Sequence, residues 1–121
     1  MARPPRERIP KGQTEDGAAE QAQSLIRAAF QGRNDDALAV LRAGAQVDAR
    51  HEKTGLTPLH IAVGSNNLEL ARLLVEEFSA PFGPDAFGRW PTTVAAECRT
   101  DVALLDYIVE AEAVFLERET P

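Results

Sequence analysis

Apolar residues recur along this chain at helical spacing, in short runs divided by polar and Gly/Pro-containing breaks. Leu70, Leu73, Leu74 and Phe78 share one face of a segment whose other positions include Glu69, Arg72, Glu76 and Glu77, so the pattern predicts an amphipathic helix over 68–78 with Asn67 as its cap. Upstream, Thr57 is placed to cap a short helix that opens with Pro58, where a missing amide proton costs nothing. Asn34 is predicted to cap a helix from Asp35 to Ala43, with acids in its first turn and Gly44 as a left-handed stop. A last helix is predicted from Asp101 to about Arg118, capped by Thr100 and carrying Val102, Leu105, Ile108, Val109 and Leu116. An opening helix is predicted over Glu15 to Gln31, with Leu25, Ile26, Ala29 and Phe30 apolar and Glu20, Gln21 and Gln23 outward.

The pattern repeats. Gly55 to Val63 aligns with Gly88 to Ala96 at 88 minus 55, or 33 residues, and Leu70, Ala71 and Leu74 are then expected to fall on Ala103, Leu104 and Tyr107. Ser24 to Ala29 aligns with Pro58 to Val63 at 58 minus 24, or 34 residues. Three two-helix units follow, over about 22–54, 55–87 and 88–118. Their long first and last helices are expected to act as polar-faced caps, because a terminal repeat has a neighbour on one side only.

Thr57-Pro58-Leu59-His60-Ile61-Ala62, preceded by Gly55 and followed by Leu73-Leu74-Val75, resembles the ankyrin repeat, as does the turn Gly44-Ala45-Gln46-Val47-Asp48-Ala49. The resemblance covers about residues 22–112 and implies an all-α solenoid of about three helix-turn-helix repeats with short hairpin fingers. It further implies that Thr57 and His60 make hydrogen bonds tying the helix start to the adjoining finger, with Gly55, Pro58 and Gly88 as structural residues. The outer units depart from the pattern: Ser24-Leu25-Ile26 and Trp90-Pro91-Thr92-Thr93 stand in the signature positions, so Trp90 is expected to contribute buried area in place of hydrogen bonds.

Carried over by position, the family's concave recognition surface implies contacts from Arg50, His51, Lys53, Thr54 and Leu56 on the first finger and from Ala86, Phe87 and Arg89 on the second. Phe30, Gln31, Gly64, Ser65, Glu97 and Cys98 follow at the ends of the inner helices. Phe82, Phe87 and Trp90 crowd the Pro- and Gly-rich second finger, which reads as a preset, loop-like strand pair; these aromatics either roof the core or, beside Arg89, supply an interface anchor. A partner patch that is acidic or polar around an apolar pocket would fit such a face.

Composition narrows the role. With 121 residues and 44% hydrophobic content, the chain can bury one core, assigned to 15–121 behind a basic, Pro-rich segment 1–14 expected to be disordered. A formal charge of −6 argues against nucleic acid and anionic membrane partners. One cysteine, Cys98, excludes an internal disulfide and suits a reducing cytoplasm; no signal-peptide core or membrane-length apolar run is present. The two histidines and scattered acids lack the spacing of a metal site, and phosphate-binding loops are absent, so neither metal nor cofactor is expected. Catalysis by Cys98 with His51 or His60 is the outlying reading, since a linear stack encloses no deep pocket. The leading reading is a small cytosolic adaptor or inhibitor, monomeric alone, that grips a folded protein. An Arg- and Ala-rich, stand-alone protein of this size also suggests a bacterial immunity, antitoxin or chaperone-like role against a cognate effector.

Overall fold

A computed structural model describes residues 15–119. The segment 1–14 assigned to a basic tail, and residues 120 and 121, lie outside the described residues. Among the described residues, six helices pair into three antiparallel hairpins: α1 (Glu15–Gln31) with α2 (Asn34–Arg42), α3 (Pro58–Gly64) with α4, and α5 (Pro91–Cys98) with α6 (Val102–Glu119). Helix α4 begins over Leu68–Arg72 and widens into a π turn over Leu73–Glu77. Helix α1 packs on α3 and α3 on α5, so the inner helices form the spine of the stack.

Local chemistry sets most of the boundaries. Extended Thr57 accepts a hydrogen bond from the His60 amide through its side chain and hands over to Pro58 at the first helical position. Asn67 caps α4 in the same way, accepting from the Leu70 amide at 3.1 Å. Two predicted caps differ. Asn34 is the first residue of α2, not its cap, because its carboxamide pairs with that of Asn67 in both directions, at 2.9 and 3.3 Å. Thr100 donates its hydroxyl back to the Ala95 carbonyl at 3.5 Å, and α6 starts one residue later than expected, after Asp101. Within each unit the turn between helices uses one left-handed residue: Gly32 (φ 72°), Asn66 (φ 60°) and Arg99 (φ 54°).

The core is a continuous row of inward side chains. Leu25, Leu59, Leu70, Leu74, Leu104 and Ile108 are at most 1% exposed, each contributing about 2 kcal/mol by the usual transfer relation. The last helix corrects the expected register. Its buried Leu104 and Ile108 lie 34 residues beyond Leu70 and Leu74, while Ala103 is exposed and Tyr107 half-buried. One residue is gained in the turn. Asn67 N to Ala62 O and Thr100 N to Ala95 O are 33 apart, whereas Ala71 N to Asn67 O and Leu105 N to Asp101 O are 34 apart.

The end helices are long, at 17 and 18 residues, but α6 is not the polar cap expected of it. Val102 is 71% exposed, Val109 50%, Leu116 43% and Val114 41%.

Candidate protein-binding face

Between α2 and α3, and between α4 and α5, the chain forms two fingers that are turns without any strand among the described residues. The first closes through His51 N to Leu56 O and Gly55 N to His51 O, both 2.9 Å. His51 organises it from within: its Nδ1 accepts from the amides of Lys53 and Thr54, each at 3.3 Å. That assignment leaves the proton on Nε2.

The second finger is built on Asp85, a residue whose role sequence reasoning missed. One carboxylate oxygen accepts from the amides of Phe87 (2.8 Å) and Arg89 (2.9 Å); the other accepts from Arg89 Nε at 2.9 Å. Burial opposes ionisation of Asp85, yet the two backbone amides and the Arg89 guanidinium outweigh it and hold the carboxyl below its ordinary value. Asp85 followed three residues later by Gly88 was the available signal, since aspartate at the first position of a turn bonds the amides that follow.

The fingers lie against each other and against the inner helices. Arg50 Nη1 donates to the carbonyls of Gly55 (2.9 Å) and Pro84 (3.1 Å), spanning both fingers. A Cβ on Gly55 would sit 2.8 Å from both the Cβ and the amide nitrogen of Ala86, so the approach of the second finger requires glycine there, as does a φ of 71°. His60, 2% exposed, spans the seam: its Nε2 donates to the Arg89 carbonyl at 2.8 Å while Nδ1 accepts from the Thr57 hydroxyl at 2.8 Å. A carbonyl only accepts, so Nε2 carries a proton, and with Nδ1 accepting from Thr57 the ring is assigned the Nε2–H tautomer. Burial pushes its pKa below the ordinary value, against the pull of the Arg89 carbonyl.

The residues singled out from the sequence separate by environment. Phe30 (53% exposed) at the end of α1 meets His51 edge-on at 5.8 Å, joining an inner helix to the first finger. Phe87 (68% exposed) carries the Arg89 guanidinium over its ring at 5.5 Å. Gln31, Lys53, Gly64, Ser65, Ala86, Glu97 and Cys98 are exposed, and Arg89 also reaches Glu97 at 3.6 Å. Leu56 and Trp90 are half-buried against the core. Phe82 is withdrawn: it is 7% exposed and packs on Phe115 at 5.5 Å, so it roofs the core and offers no contact surface. The cationic character of the fingers is also reduced, because Arg89 is neutralised by Asp85, while Nη1 of Arg50 is engaged by the two finger carbonyls.

The family profile described as "Ankyrin repeats (3 copies)" matches residues 25–116. The chain belongs to the ankyrin-repeat family. Among curated proteins, the ARF GTPase-activating protein GIT1 of Homo sapiens, and likewise those of Mus musculus and Rattus norvegicus, are 34% identical to it over 86 residues. That similarity takes in 71% of this chain and 11% of each relative. Ankyrin repeats are protein–protein interaction modules and are typically non-catalytic. Among the described residues, no helix is long and apolar enough to cross a membrane, and no group of three or more His, Cys, Asp or Glu side chains could hold a metal ion.

Proposed function

We propose that this ankyrin-repeat chain is an adaptor or inhibitor that holds a folded partner protein on its fingers and inner helices. The observation that carries the proposal is the pair of exposed aromatics, Phe30 and Phe87, each in contact with a second side chain of the same face. Rigid aromatics lose little entropy on burial and form the energetic centre of protein interfaces. Lys53 supplies an exposed charge beside them, while Arg50 and Arg89 act mainly by shaping the fingers. The matching patch on the partner is therefore apolar first and acidic second.

Capture of partners from the source cell, with identification by mass spectrometry, tests the reading. The combined variant Phe30→Ala, Lys53→Ala, Phe87→Ala should retain the helical circular dichroism and thermal transition but bind the captured partner at least about tenfold more weakly. Unchanged affinity in a folded variant would remove this face from the proposal. One tight equimolar partner against whose toxicity the chain protects cells would assign it to the immunity or antitoxin class; several weaker partners would mark an adaptor. The GTPase-activating role in the name of the relatives is not extended to this chain, which spans 11% of their length.

A further inference from the structure

The outer face of α6 exposes apolar side chains well apart from the fingers. The unit-to-unit register sets them in context. Residues 102 and 109 lie 34 beyond 68 and 75, the same offset that relates Leu104 and Ile108 to Leu70 and Leu74. In the middle unit those positions, Leu68 and Val75, are half-buried and packed against the core. In the last unit Val102 and Val109 occupy them at 71% and 50% exposure. The first unit has the charged residues Asp35 and Arg42 at the same places, so among the described units only the last exposes apolar side chains there.

Val102, Val109 and Leu116 recur every seven residues, which keeps them on one side of the helix along roughly 21 Å at 1.5 Å per residue. Beside that stripe run Asp106, Glu110 and Glu117, at spacings of four and seven residues, and Arg118 is the single base of the helix. Charge therefore selects among occupants. A second copy packed antiparallel by a two-fold axis would set this acidic line against its own equivalent, and an anionic membrane would be repelled likewise. A helix with an apolar stripe and flanking lysines or arginines answers both features at once.

We propose that the outer face of α6 binds a basic amphipathic helix of a partner protein, with Val102 and Val109 as the apolar anchors and Asp106, Glu110 and Glu117 as the charge guide.

The test uses the full chain and two labelled synthetic 18-residue helical peptides with the same leucine stripe, one flanked by lysines and the other by glutamates, read by fluorescence anisotropy. The lysine peptide should bind saturably. Val109→Glu, at an exposed position, should weaken it by about tenfold or more with the thermal transition unchanged. Glu110→Lys with Glu117→Lys should reverse the preference between the peptides, a readout that loss of folding would not produce. Equal binding of both peptides, no saturable binding, or insensitivity to Val109→Glu would overturn the proposal. So would sedimentation showing a dimer of the chain that Val109→Glu dissolves, which would give the face to a second copy.

Discussion

Thr57 and His60 of the middle unit are buried and tie their helix to the next finger, ending on the Arg89 carbonyl. Thirty-three residues on, Trp90 and Thr93 occupy the same places, Trp90 makes no side-chain cap and Thr93 is exposed. The last unit is fastened inward. Thr92 donates its hydroxyl to both oxygens of Glu112 at 2.9 and 3.0 Å, and its amide lies 3.4 Å from one of them, so a carboxylate from α6 serves the first turn of α5. A forward bond requires a following finger to receive it. Where no described unit follows, the same fold is held by a bond between the two helices of one hairpin.

Substitutions at equivalent positions test that contrast. His60→Ala should cost about 3 kcal/mol, because it opens a cavity and removes the ring partner of the Arg89 carbonyl and of the Thr57 hydroxyl proton. Thr93→Ala should cost less than about 0.5 kcal/mol, as expected of an exposed site, with both variants measured by urea denaturation. Comparable losses would show that the two units are fastened alike.

Two of the finger glycines, Gly55 and Gly88, sharpen the comparison at the next size. Gly55→Ala should cost about 2 kcal/mol or more, since it combines a left-handed φ with a clash against Ala86 backbone. Gly88→Ala, with φ 79° and open space around it, should cost about 1 kcal/mol from conformation alone. Thr92→Val should then remove about 1 kcal/mol and leave the middle unit's amide protection unchanged in hydrogen exchange.

The smallest expected effect is a pH dependence. Burial holds the folded His60 pKa below its ordinary 6.5, so as pH falls the unfolded chain takes up the proton first. Stability from this site is complete above pH 6.5 and declines as pH drops through 6.5 towards the lowered folded value. The Asp85 contribution is lost in a separate window, below 3.8. A thermal midpoint lower at pH 5.5 than at 7.5, with the difference reduced in His60→Asn, is the expected result; an equal pH response in that variant would place the effect elsewhere.

Much of the fold was readable because each unit advertises itself locally. Thr57 and Asn67 cap their helices as their types suggest, and α1 occupies the expected span, Glu15–Gln31. What failed were readings in which a local role competed with a distant one. Asn34 is a plausible cap, but Asn67, 33 residues away, claims its carboxamide. The extra residue at the Thr100 turn is invisible to a fixed spacing because Ala103 and Leu104 are both apolar, and only burial distinguishes them. On the candidate face, Phe30 and Phe87 stand exposed, whereas Phe82 could not be separated from them by type; contact with Phe115 of α6 decided its direction. Glu112 reaches Thr92 across 20 residues, a pairing that no local pattern signals.

The seam bond of His60 ends on main chain, so it makes no demand on which side chain stands at position 89. Recognition chemistry at exposed finger positions such as Lys53 and Phe87 can therefore drift or be redesigned while the join between units persists. An array joined this way separates inheritance of shape from inheritance of specificity, and a library varied at residues 53 and 87 should retain its architecture more often than one varied at 55, 57 or 60.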